Sequence, residues 1–172
     1  RIICGAEGTL GIVTQATLRC ENIPSLPGPL LLCCFDSIDA ALTYGKSIAA
    51  LRPRAVEVVD ELVLEVARTD AGWRTIAPML GSVAGSAAAM LFVELDSDEH
   101  DLPRDTPGLL GIHQCASDKE CELAWHFRRR AVGLLSAAPG DRRPVPFVED
   151  CGVPPENLPE FIAHFRELLD KH

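Results

Sequence analysis

The sequence predicts an α+β domain built on one mostly antiparallel sheet with helices on one face. Three observations predict it. Apolar runs of strand length, Gly28 to Phe35 and Ala87 to Val93, intermix with segments of helical periodicity. Apolar residues make up 47 % of 172 residues, enough to bury a real core. No apolar run reaches the length that crosses a bilayer.

Ile12 to Cys20 alternates as a strand. Glu21 to Pro29 carries three prolines and a glycine and reads as a linker. Leu30 to Phe35 is a buried-type strand. Asp36-Ser37 is an N-cap signal, and Ile38, Ala41, Leu42, Gly45, Ile48 and Ala49 then recur at helical spacing until Pro53. Ala55 to Val59 is a short strand, and Asp60 caps a helix to Arg68. Gly72 to Leu80 is a further short helix. Ala87 to Leu95 and Leu109 to Cys115 are strands on either side of an acidic loop, Asp96 to Pro107. Ser117 caps a long helix from Asp118 to Ala137, ended by Pro139-Gly140. Pro144 to Cys151 is extended. Pro154-Pro155-Glu156-Asn157 opens a last helix with the stripe Leu158, Phe161, Ile162, Phe165, Leu168 and Leu169.

Twenty-five acidic residues against 16 basic ones give a net charge of −9. That balance argues against nucleic acid or an anionic membrane surface as partner, since both attract Lys/Arg excess. Seven cysteines stand at 4, 20, 33, 34, 115, 121 and 151, with no C-x-x-C and no secretory leader before them. They read as reduced core thiols of a cytoplasmic protein. Cys33 and Cys34, adjacent on a strand, point to opposite faces. The five histidines stand at 100, 113, 126, 164 and 172, and no two have H-x-H or H-x-x-x-H spacing. No metal site is therefore expected within the chain.

Three segments carry candidate chemistry. Gly5-Ala6-Glu7-Gly8-Thr9-Leu10-Gly11 is either a tight hairpin or a backbone cradle for a ligand, because glycine lets the main chain approach and expose its N–H groups. It is not the dinucleotide G-x-G-x-x-G pattern, and a strand follows it where that pattern needs a helix. In the long helix, Leu123, Phe127, Ala131 and Leu134 form the main apolar stripe; Trp125, Arg128, Val132 and Leu135 lie beside it. Arg128 so placed grips a ligand carboxylate bidentately, belongs to a solvated basic face, or pairs internally with Glu149 or Asp150. Arg143-Pro144-Val145-Pro146-Phe147-Val148-Glu149-Asp150 is an extended edge whose paired acids face opposite ways. Capping or pairing with a nearby arginine is their ordinary use.

These segments, in this order, resemble the FAD-linked oxidases that share the vanillyl-alcohol-oxidase type of flavin domain: D-lactate dehydrogenases, glycolate oxidase flavin subunits and D-2-hydroxyglutarate dehydrogenases. Gly5 to Thr14 is similar to the family signature G-S-E-G-T-L-G-I-V-T, with Ala6 in place of serine. Phe35-Asp36-Ser37, then Ala55-Val56-Glu57-Val58-Val59-Asp60, resembles the first β-α-β unit of its cap domain. Trp125-x-x-Arg128-Arg129 and the Pro-Val-Pro-Phe-Val-Glu-Asp segment resemble the helix and strand that face the flavin, most of all in large members that also carry an iron–sulfur domain.

The resemblance implies a ferredoxin-like cap domain over residues 23–172, preceded at residues 1–22 by a strand remnant of the FAD-binding domain. It implies FAD contacts at Gly5, Glu7, Gly8, Gly11, Ile12 and Val13, and substrate contacts at Arg128, Arg129 and Glu149. It further implies a divalent metal, bound by an H-x-H-x-G-D-G-N segment beyond Asp170, and an iron–sulfur cluster elsewhere. The implied reaction is oxidation of a 2-hydroxy acid with hydride passing to FAD, the partners being a small anionic substrate and the FAD-binding domain. The piece alone is expected to be inactive, and its exposed strands to pair chains into a dimer. Val132 stands where hydroxyglutarate enzymes place a threonine, and Val148 where they place a lysine, which weighs against a dicarboxylate. The alternatives are a flavoenzyme of the same fold acting on another substrate, of alcohol-oxidase or ether-lipid-synthase type, and a non-enzymatic α+β binding module.

Overall fold

A computed structural model describes residues 3, 6, 8–20, 28–97, 102–136 and 151–171. Six successive apolar residues form β1 (Leu30–Phe35), and every one of them is buried. Ser37 then caps α1 (Ile38–Ile48), its hydroxyl accepting from Ala40 N. A 3₁₀ turn ends at Arg52 in a left-handed conformation before β2 (Ala55–Val59). Asp60 caps α2 (Glu61–Arg68) by accepting from Val63 N, and α3 (Trp73–Leu80) follows. β3 (Ala89–Glu94) and β4 (Leu109–Gln114) complete the sheet, and α4 (Asp118–Ser136) and α5 (Leu158–Lys171) close the described chain.

The strand order is β2-β3-β1-β4, and every neighbouring pair is antiparallel. β1 and β2 thus run parallel with β3 inserted between them, a split β-α-β unit. The register sets Cys33 opposite Leu91 on one side and Ile112 on the other.

The α+β class and the antiparallel sheet are as the sequence predicts; the layering extends beyond one face. Leu30, Leu32 and Cys34 pack with Leu64, Trp73, Ile76 and Phe127 of α2, α3 and α4. Leu31, Cys33 and Phe35 pack with Ala41, Tyr44 and Ile48 of α1 on the opposite face. A strand without alternation is buried on both sides, and both sides need a cover.

Three further expectations are corrected. Ile12 to Cys20 joins no strand ladder among the described residues, and Ile12 and Leu18 are 89 % and 80 % exposed. Alternation marks the face that would be buried, and without a partner strand it makes no sheet. Cys20 and Cys151 are exposed, whereas Cys33, Cys34 and Cys115 are buried. The buried face of α4 is turned toward Ala124, Phe127 and Ala131, with Leu123 only half-buried. Aromatic contacts fix that rotation: Phe127 lies 5.8 Å from Trp73 and 6.4 Å from Phe92, and Trp125 stacks 5.8 Å from Phe92. The small Ala124 lets the helix approach the sheet between those rings. The predicted segments ending at Gly140 and spanning Pro144 to Asp150 lie outside the described residues.

Gly108 anchors the start of β4. Its φ is +80°, and its carbonyl accepts from Asp36 N at 2.9 Å. An added Cβ would sit 2.5 Å from Ala40 Cβ and 2.7 Å from Asp36 Oδ1. Only glycine fits both the left-handed backbone and the space.

Candidate functional site

The rotation of α4 that buries Phe127 carries Arg128 to the edge of the sheet beside β2. Glu57 and Val59 occupy the face of β2 that α4 covers, because they pair with Phe92 and Met90 of that face. Arg128 Nε lies 2.6 Å from Glu57 Oε2, with the two side chains 27 % and 39 % exposed. The Nε–H does not aim at that oxygen, and Nε is buried without an aligned hydrogen bond among the described residues. The guanidinium is thus held by charge at its Nε edge, with that one donor unaligned.

Arg128 borders a cavity of about 490 Å³, whose apolar wall includes Leu42, Val59, Ala131, Ile162 and Phe165. Its volume falls in the range of small-molecule sites, and a few charged groups on an apolar wall are the usual pattern of such sites. Asp60 and Arg166 also reach it. Asp60 is engaged as the α2 cap. Arg166 stands four residues after Ile162 and three before Leu169 on α5, so it rims the apolar stripe of that helix. Sequence reading missed both Glu57 and Arg166. Helical spacing from Ile162 could have flagged Arg166. Nothing local connects Glu57 to Arg128.

The neighbouring arginines diverge. Consecutive helical residues point about 100° apart. Arg129 is exposed and borders a second cavity of about 360 Å³ with Trp125, Glu94 and Glu122. Arg130 grips Asp70 with one nitrogen at 3.0 and 3.2 Å from the two carboxylate oxygens. Asp70 also accepts from Gly72 N at 2.7 Å; that bond first, then Arg130, holds its carboxyl below the ordinary carboxylate range. Arg128 and Arg129 therefore do not share a cavity. Glu149 lies outside the described residues.

The glycine segment forms a turn closed by Thr9 N on Ala6 O at 2.8 Å, with Thr9 Oγ1 on the same carbonyl at 2.6 Å. Gly8 and Gly11 have φ of +77° and +158°, and a Cβ on either would meet nothing within 4 Å. Ile12 and Val13 are exposed. This main-chain edge is open at both glycines, which leaves room for close approach by a ligand. Gly5 and Glu7 lie outside the described residues. Among the described residues no helix is long and apolar enough to cross a membrane.

Comparison with known proteins follows the same outline. The sequence profile of "FAD linked oxidases, C-terminal domain" matches residues 28–172. The whole chain is similar to D-2-hydroxyglutarate dehydrogenase of Escherichia coli (strain K12), 34 % identical over 189 aligned positions that cover 18 % of that protein. It is 25 % identical, over its full length and 36 % of the relative, to glycolate oxidase subunit GlcD of Bacillus subtilis (strain 168). It is also 27 % identical, over 99 % of its length and 30 % of the relative, to the mitochondrial D-lactate dehydrogenase [cytochrome] of Arabidopsis thaliana. The chain spans 18 % of the length of the dehydrogenase it matches at 34 % identity.

Proposed function

The chain belongs to the C-terminal domain family of the FAD linked oxidases, and we propose that it is the substrate-facing domain of a dehydrogenase that oxidises a 2-hydroxy acid to the 2-oxo acid. The single observation that carries this reading is Arg128. It is a half-buried guanidinium with an unaligned Nε–H, at the rim of a cavity of about 490 Å³. A substrate carboxylate is the partner that completes its fork, since a carboxylate accepts two parallel N–H bonds. The names of the relatives support the class, each dehydrogenase or oxidase among them acting on a 2-hydroxy acid by name.

In this reading Gly8, Gly11, Ile12 and Val13, with Gly5 and Glu7, present the main-chain edge that meets FAD. FAD supplies the two-electron acceptor for the hydride from C2 of the substrate. Arg128 binds the carboxylate and fixes the orientation of C2. Glu57 holds the guanidinium on the β2 side at its Nε edge, and Arg128 lines the cavity. The apolar wall from Leu42, Val59, Ile162 and Phe165 excludes water from the bound acid and strengthens the charge contact. Arg129 and Glu149 are the next substrate contacts, Arg129 only for a ligand that extends past Trp125. Residues 1–22 belong to the FAD-binding part and 23–172 to the substrate domain. The buried thiols of Cys33, Cys34 and Cys115, outside any disulfide, support a cytoplasmic setting.

The 2.6 Å contact favours one competing reading, in which Arg128 is a strut between α4 and β2 and binds nothing else. The experiment is an anaerobic titration of the complete protein with glycolate, D-lactate and D-2-hydroxyglutarate in turn, followed at the visible flavin band. Bleaching by at least one acid supports the proposal. No bleaching by any of them, or a purified protein without a flavin band, rejects it.

A further inference from the structure

We propose that the junction between β4 and α4 is a binding site for a thiophilic divalent cation of the zinc class, with His113, Cys115, Glu120 and Cys121 as ligands. The argument starts from two periodicities. His113 and Cys115 are two apart at the end of a strand, so they share a face. Glu120 and Cys121 lie in the first turn of α4, which begins at Asp118 and doubles back over that strand end. The fold thus brings together four donors that no standard ligand spacing marks.

The geometry is close to a coordination shell. The ligand atoms of His113, Cys115 and Glu120 all lie within 4.8 Å of one another. His113 Nε2 is 3.1 Å from Glu120 Oε2. Tetrahedral zinc with Zn–N and Zn–O near 2.0–2.2 Å and Zn–S near 2.3 Å sets its donors about 3.3–3.8 Å apart. The widest pair among these three therefore has to close by no more than about 1.5 Å, within the reach of side-chain rotation. Cys121, in the first turn of α4, lines the same cleft as Cys115, so that rotation of its side chain supplies the fourth ligand.

The surroundings suit such a site. Glu120 Oε2 accepts from Ala116 N at 2.8 Å, and Ser117 Oγ accepts from Glu120 N, so the carboxylate is oriented before any ion arrives. The donors are buried or half-buried, while an open cleft lined by Gln114, Cys115, Ala116, Ser117 and Cys121 gives an ion access. Binding releases the two thiol protons to solvent and leaves His113 neutral, with Nε2 on the metal. The ion would tie the end of β4 to the start of the helix that carries Arg128.

Cobalt(II) alone is the probe, added to the folded 172-residue chain under a phosphine reductant and checked for fold by circular dichroism. One equivalent should produce a sulfur-to-cobalt charge-transfer band with visible bands of tetrahedral intensity, and zinc should displace it. Cys115→Ser and Cys121→Ser should abolish the band. His113→Ala, at a half-exposed position outside the core, should weaken binding by at least about tenfold. Dialysed complete protein should hold one zinc equivalent more as wild type than as the Cys115→Ser variant. A folded chain that shows no charge-transfer band overturns the proposal. So does a band that survives Cys115→Ser, which would place the metal on the exposed Cys20 or Cys151, and so does an unchanged affinity in His113→Ala.

Discussion

Replacing Arg128 by alanine in the complete protein separates its two readings. The change deletes the guanidinium beside Glu57 and the stem that walls the cavity. The Arg128–Glu57 pair is about a third exposed on both sides. A pair of that kind contributes roughly 0.2–1 kcal/mol to stability. For a domain of this size, that lowers the melting temperature by no more than about 2–4 °C. A charge-assisted hydrogen bond to a substrate carboxylate is worth about 1.5–3 kcal/mol. Its loss lowers kcat/KM by roughly 10- to 150-fold. Catalysis should therefore suffer far more than folding. Arg128→Lys should recover only part of the loss, because an ammonium cannot reproduce the planar fork. Steady-state kinetics and thermal unfolding on one preparation of each variant read both quantities. A melting temperature several degrees lower, with kcat/KM per folded molecule unchanged, refutes the clamp and leaves the strut.

Three further outcomes are expected. Gly108→Ala forces a side chain against Ala40 and Asp36 at a φ of +80°, and should cost about 1–3 kcal/mol, read as a lower denaturation midpoint. Burial pushes the thiols of Cys33 and Cys34 up to about 12 and about 11; the native state keeps these protons while the unfolded chain loses them near pH 9. Melting temperature should accordingly be level below pH 8 and fall from about pH 9 to 11, and at pH 8 a thiol reagent should label Cys20 and Cys151 but spare Cys33, Cys34 and Cys115. Light scattering should find the 172-residue chain dimeric and a chain starting at Ile23 monomeric, since Ile12, Val13 and Leu18 expose apolar edges in 8–20; monomers in both would reject that pairing.

What the sequence made legible follows the range of the forces involved. Ser37, Asp60 and Ser117 announce helix starts because a cap bonds two or three residues away, and each has the predicted partner. The stretch Leu-Leu-Leu-Cys-Cys-Phe reads as a buried strand and is one, but its lack of alternation also calls for a second covered face, which the expectation of helices on one face left out. Ile12 to Cys20 shows the converse, since an alternating segment specifies a face and leaves its partner unspecified. The Arg128–Glu57 pair was out of reach, because it depends on how α4 rotates over the rings of Trp73 and Phe92. The same rotation parts Arg129 from Arg128, although the two adjoin in sequence. Cys115 and Cys121 escaped notice as a pair because a strand end and a helix start lie between them.

The central claim is that Arg128 holds the carboxylate of a 2-hydroxy acid against the flavin, and the most direct measurement is the anaerobic flavin titration run on wild type beside Arg128→Ala. The account predicts that the flavin of both proteins bleaches at saturating acid, with a half-saturation concentration at least about tenfold higher in the variant. A folded variant that bleaches at the wild-type concentration contradicts it.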